Sequence, residues 1–205
     1  MSAYTKFFER IPEQVLIAIG NGCNLGDKAF AQVMESDQAL LRSQFMYGLR
    51  SRIHDKSIQM YLYDRLSGNK LVSVFCKNTG FGNRIVSIFG SGFSIASCHI
   101  SERAVLPSPA RYKLKDCENN PGKEFAQLNL FNPPYAKDYA NVHFIITTFF
   151  DGMKTIPTLV LPDNSFSVIL DSMPILAVTT TEETAYQERK LPQIISEVEK
   201  LNEQL

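Results

Sequence analysis

No two cysteines of this chain form a C-x-x-C pair; Cys23, Cys76, Cys98 and Cys117 lie far apart. That spacing argues against a structural zinc site and against a compact disulfide scaffold. Four free thiols in a reducing cytosol are expected instead. Surplus charge is missing too: Lys+Arg is 21, Asp+Glu is 21, and the formal net charge is zero. Dedicated nucleic-acid binders carry a basic excess because counterion release supplies much of their affinity, so nucleic acid ranks behind a protein as the expected partner. No uninterrupted apolar run reaches the roughly 18 residues that suggest a membrane span. The start "MSAYTKFFERIPEQ" has no basic-then-apolar secretory layout. A cytoplasmic protein without a membrane partner is the expectation.

The usual catalytic signatures are absent as well. There is no G-x-S-x-G, and His54, His99 and His143 form no cluster with metal-ligand spacing. Cys98 and His99 are neighbours, which on a strand sends them to opposite faces, so they cannot form a dyad together. Cys98 with His143 on neighbouring strands is the remaining thiol–imidazole pairing. Pro162-Asp163 and Glu188-Arg189-Lys190 match the letters of a PD…(D/E)-x-K nuclease. Such a site holds Mg²⁺ between two carboxylates on adjacent strands. Here Asp163 falls in a turn and Glu188 in a polar stretch before a helix. No catalytic residue, metal or cofactor is therefore assigned, and a metal-dependent nuclease or other hydrolase is kept as the alternative.

Four of the eleven glycines fall in "CKNTGFGNRIVSIFGSGF", from Cys76 to Phe93. Gly80-Phe81-Gly82 lacks the third glycine and the helix of a dinucleotide fingerprint, and no Gly-Lys-Ser/Thr follows as in a P-loop. Against the basic-Gly-aromatic-Gly-aromatic strand of RNA-recognition motifs, Thr79 and Asn83 stand where the basic and second aromatic residues belong. Gly80, Gly82, Gly90 and Gly92 are read as turn residues between strands, with φ > 0 expected in at least one of the first pair. As a ligand loop, the stretch would use Lys77, Asn78, Asn83 and Arg84, with Phe81 exposed at the tip. A second basic face, Arg42, Arg50 and Arg52 with Lys56, lies in "LLRSQFMYGLRSRIHDK" and could meet phosphates.

With 205 residues, 44% hydrophobic and 20% charged, the chain suits one domain, 1–205, with a sizeable core. Residues 1–56 read as helical. Pro12 and Glu13 open a short helix that stops at Gly20, and "GNGCNLGD" breaks the chain before Asp27 caps a second helix. Phe30, Met34, Leu41, Phe45, Leu49 and Ile53 line one face of that helix, which runs to about His54. Segments 57–100 and 140–180 read as sheet. Ile58, Met60 and Leu62 alternate with polar and tyrosyl residues as in a half-buried strand, and "LSGNK" turns into Val72, Val74 and Cys76. "RIVSIF", "FSIASCHI", "NVHFIITTFF", "KTIPTLVL", "FSVIL" and "MPILAV" follow. Residues 101–139, with five prolines, form an irregular insert in which "GKEFAQLNLF" could hold a short element. Pro192 opens a C-terminal helix over 190–205, striped with Ile194, Ile195, Val198, Leu201 and Leu205; that stripe docks on the sheet or serves a homodimer. The fold expected is α+β: a largely antiparallel sheet of about seven strands flanked by N-terminal helices and a C-terminal helix. The function expected is that of a non-enzymatic binding or regulatory protein.

Overall fold

The computed structural model describes residues 4–36, 46–78, 84–99, 105–124, 139–151, 154–178 and 180–202. Five helices are described: α1 (Thr5–Phe8), α2 (Glu13–Ser36), α3 (Met46–Leu66), α4 (Arg111–Cys117) and α5 (Thr181–Asn202). Six strands, β1 (Val72–Asn78), β2 (Arg84–Gly90), β3 (Phe93–His99), β4 (Val142–Phe150), β5 (Thr155–Pro162) and β6 (Ile169–Pro174), form one sheet in chain order. The fold is α+β, as expected.

The helical layer differs from the sequence reading in three places. The first helix does not stop at Gly20; α2 runs through Gly20, Gly22 and Gly26, and Asp27 lies inside it. These glycines are points of close approach. A Cβ on Gly20 would stand 2.5 Å from the Leu176 carbonyl oxygen, one on Gly22 3.0 Å from the Ile58 Cα, and one on Gly26 2.8 Å from the His54 ring. The helix gives up about 1 kcal/mol of propensity at each glycine, and tight packing against α3 and the chain after β6 offsets it.

The second difference is the expected strand at Ile58–Tyr63, which is the last part of α3. Ile58, Leu62 and Leu66 are buried at a spacing of four residues, and Ile53 and Tyr61 join the same core. A short apolar alternation fits both periods, and only its continuation back to Ile53 selects the helix. Gly68, at φ 82°, ends α3 in the left-handed conformation that glycine tolerates. Third, α5 begins at Thr181, so Pro192 is an interior residue of the helix and not its first. The start is set by Thr180, whose hydroxyl accepts the Glu183 backbone N–H at 3.1 Å.

Among the described residues the sheet has six strands. "FSVIL" and "MPILAV" merge into the single strand β6, because Asp163 holds residues 163–168 in a turn by accepting the N–H groups of Ser167 and Val168. Four pairings are antiparallel, and β3–β4 is parallel. A parallel pair needs a long crossover. The irregular insert supplies it and carries α4 on the way.

The main core lies between the helical layer and one face of the sheet; Phe7, Ile19, Leu25, Ile53, Ile58, Leu62, Phe93, Ile95, Phe144 and Ile146 belong to it. A smaller core covers the opposite face near β4: Ile145, Cys117 and Phe166, with Leu106 against them. This opposite face is called the outer face below. Register places Phe75, Ser87, Ala96, Ile145 and Val160 in one row across it, and Phe89, Ser94 and His143 in the next. Gly92, at φ 80°, lies in the β2–β3 turn, as expected of a turn residue, whereas Gly90, also read as one, is the last paired residue of β2. Gly80 and Gly82 lie outside the described residues.

Candidate partner-binding surface

Two polar clusters lie within the helical layer, and each is bonded largely within itself, with Arg50 Nε of the first left buried and without a hydrogen-bond partner among the described residues. In the first, Asp27 of α2 accepts from Arg50 at 2.8 Å, from the Thr155 hydroxyl at 2.7 Å and from the Thr155 N–H at 2.9 Å. His54 Nδ1 donates to the Arg50 carbonyl at 2.9 Å, and its Nε2 faces Asp27 at 2.9 Å. Burial pushes the Asp27 carboxyl up, but the hydrogen bonds from His54 and Thr155 outweigh it and hold the group below the usual carboxylate range. The cluster ties α2, α3 and β5 together. Arg50 is placed inside it, 7% exposed, with its guanidinium carbon 3.2 Å from the Phe150 ring centroid and 4.6 Å from that of Phe30. That geometry is a cation–π sandwich around a charge already paired with Asp27. Arg52 is exposed on α3, and Arg42 lies outside the described residues.

The second cluster joins α2, α3 and α5. Tyr61 donates to Glu183 in a very short hydrogen bond and accepts from Asn21 at 3.2 Å, while Arg65 donates to Glu183 at 3.2 Å. Burial and the Glu183 carboxylate push the Tyr61 hydroxyl up to about 12. A cleft of about 400 Å³ opens beside these groups, lined by Gln14, Ala18, Thr180 and Val178 among others. Its polar walls are already engaged: Asn21 Oδ1 accepts the Val178 N–H at 2.8 Å, and Gln14 accepts from Asn69 at 3.2 Å. Tyr186, Gln187 and Ile194 of α5 are buried within the chain. The side chains of Val198, Leu201 and Leu205, on the expected homodimer stripe, lie outside the described residues.

The thiols and carboxylates singled out from the sequence do not converge. Cys23 and Cys117 are free and buried, and burial pushes both thiols up, Cys117 to about 12. The parallel register sets Cys98 beside Thr147 and His143 beside Ser94, four residues away, so Cys98 and His143 are not opposite each other. His143 Nδ1 meets the Ser94 hydroxyl at 2.8 Å instead. Asp163 is spent on its own turn: it accepts from Ser165, Ser167 and Val168. Burial pushes its carboxyl up, and these bonds more than reverse that. Glu188 is exposed on α5. Among the described residues, no group of three or more His, Cys, Asp or Glu side chains could hold a metal ion. No described helix is long and apolar enough to cross a membrane.

The outer face of the β1–β2 hairpin contrasts with these clusters. Val72 is buried and Val74 half-buried on the core side, so the strand period turns Phe75 outward. Phe75 is 56% exposed, Phe89 43% and Leu71, just before β1, 60%. The two phenylalanine rings meet edge to face, with centroids 5.9 Å apart. The next outer-face residues on β2 and β3, Ser87, Ser94 and Ala96, are already buried, so at this end of the sheet the exposed part of the face is confined to the hairpin. Lys77 and Asn78 end β1 and Arg84 begins β2, so they flank the hairpin loop. Their side chains, with Phe81 and Asn83 of the loop, lie outside the described residues. Sequence reasoning missed Phe75 and Phe89, because it looked for a site at the glycines and not on the strands beside them. No protein-family model, curated protein or solved structure is detectably similar to this chain.

Proposed function

We propose that the protein is a non-enzymatic binding or regulatory protein that engages a protein partner through the outer face of the β1–β2 hairpin. The observation that carries this reading is the exposed Phe75–Phe89 pair on a hairpin whose other face packs on the core through Val72, Val74, Val86 and Ile88. Aromatic side chains are the anchors of protein interfaces, since each offers a large rigid surface at small entropic cost. Burying the exposed parts of both rings would contribute about 2–4 kcal/mol. Lys77, Asn78 and Arg84 are the strand-end residues of the same hairpin. The two buried free thiols suit a reducing, cytoplasmic setting.

Site-specific photo-cross-linking tests the reading. A photoreactive residue at position 75 should capture a defined partner protein in cells, while one at the exposed position 188 of α5 should not. Equal capture from both positions, or capture from 188 alone, contradicts the proposal.

A further inference from the structure

His54 stands where α2, α3 and β5 meet, and it is buried. Its ring lies directly on α2 at Gly26, where a Cβ would come within 2.8 Å of the ring Cδ2. Both ring nitrogens face oxygen acceptors. Nδ1 lies 2.9 Å from the Arg50 carbonyl oxygen, and Nε2 lies 2.9 Å from Asp27 Oδ1. A carbonyl oxygen has no proton to give, so Nδ1 carries one.

A count of protons bears on the other nitrogen. Asp27 Oδ1 is met by Arg50 at 2.8 Å, by the Thr155 hydroxyl at 2.7 Å and by His54 Nε2 at 2.9 Å. The Thr155 hydroxyl also lies 2.9 Å from Nε2, and it has a single proton to give. Given to Asp27, that proton leaves a neutral ring with a bare lone pair against the carboxylate. Given to Nε2, it is lost to Asp27, and Nε2 still faces Oδ1 as acceptor against acceptor. Asp27 does not supply the missing proton, because its hydrogen bonds hold the carboxyl below the usual range. Only a doubly protonated ring donates to both the Arg50 carbonyl and Asp27.

The charges around the cluster favour such a ring. Asp27 lies against both His54 and Arg50. Among the described residues, the other titratable groups facing the cluster are Cys23 on α2, Asp55 on α3 and Asp151 just after β4. Burial pushes the Cys23 thiol up, which keeps it uncharged. Burial pushes the Asp55 carboxyl up to about 6, and the charge of His54 works against that.

We propose that His54 is a proton-dependent latch: the doubly protonated ring locks α2, α3 and β5 together through Asp27, and release of the Nε2 proton to water frees β5. The inference goes beyond the partner-binding reading and does not depend on it. Without the Nε2 proton, the ring lone pair repels Asp27 Oδ1 and competes for the Thr155 proton, so Asp27 loses its hold on β5. The ring gains an anionic partner on folding. Its contribution is therefore present at low pH and is lost as pH rises through the titration of the ring. Asp27 acts in the opposite sense and fails in acid. The latch is closed in the window between the two, and imidazole is the side chain whose charge ordinarily changes within about pH 5–8.

Nuclear magnetic resonance on the isotope-labelled full chain tests the latch. His54 should show two protonated ring nitrogens near about pH 5 and one near about pH 8. The Thr155 N–H, which donates to Asp27 at 2.9 Å, is the reporter. Its protection against hydrogen exchange, corrected for the base dependence of exchange, should fall about tenfold over the same pH step. His54→Gln should abolish the step, and a folded Asp55→Asn should keep it. A ring with one protonated nitrogen at every pH overturns the proposal. So does a Thr155 N–H that ignores the ring's titration, a step that survives in His54→Gln, or one that vanishes in folded Asp55→Asn. If His54→Gln fails to fold, the ring and the Thr155 N–H read on the same wild-type sample still decide.

Discussion

The β4–β5 end of the sheet and the β1–β2 end are made from similar residues and meet different surroundings. In β4, seven successive residues from Val142 to Thr148 are buried. Phe144 and Ile146 face the helical layer, and Ile145 faces the small core under α4 and Phe166. In β1, burial alternates, with Val72 inside and Ser73 and Phe75 outside. One row of the outer face contains both Ile145 and Phe75, so the same layer of side chains is covered at one end and open at the other. Phe75 and Phe89 at the open end belong to neither core. Their placement makes sense as a contact surface, whereas the buried residues of β4 serve the fold.

Substitutions should separate the two ends. The largest effect is expected for Phe144→Ala, which leaves a cavity in the main core and should cost about 3–5 kcal/mol in chemical denaturation. If Phe144→Ala proves as mild as a substitution at Phe75, the contrast between the ends collapses.

Gly20→Ala comes next. Alanine is the better helix former by about 1 kcal/mol, yet its Cβ would meet the Leu176 carbonyl at 2.5 Å. A net loss of about 1–3 kcal/mol is expected, as for other overpacked sites. A gain in stability would show that the chain after β6 does not sit against α2.

The Asp27 cluster predicts a pH dependence. The folded carboxyl titrates below its unfolded value of about 3.9, so its contribution is present above that pH and is lost as pH falls through the folded value. Denaturation midpoints should fall below about pH 4 in the wild type, and Asp27→Asn should flatten that part of the profile. The same variant should lower stability at neutral pH, because the buried Arg50 loses its counter-charge. An unchanged acid profile in Asp27→Asn would remove the clamp between α2, α3 and β5.

Much of this contrast was legible in the sequence, for a physical reason. The strands from β1 to β5 follow from short runs of β-branched and aromatic residues between turn signals, alternating in β1 and apolar on both faces in β2 and β3. The glycines of α2 misled because glycine signals both a break and a close helix contact, and the partner that decides, Ile58 or His54, is remote in sequence. The start of α5 could have been read from Thr180-x-x-Glu183, a capping-box spacing. Arg50 could not be seen as buried, since Phe30 and Phe150 reach it only in the fold. Phe75 was within reach: with Val72 and Val74 facing inward, Phe75 must face out. Its pairing with Phe89 depends on the hairpin register, which a sequence does not display.

The smallest effect on stability belongs to the proposed surface, and it gives the most direct test. Phe75→Ser with Phe89→Ser should lower the melting temperature of the isolated protein by only a few degrees, since both rings are about half exposed and belong to neither core. Titration of the partner captured from position 75, with the melt recorded on the same samples, should show binding lost while the fold persists. A double variant that keeps wild-type affinity, or one that unfolds, would contradict the division between a structural and a binding end of the sheet.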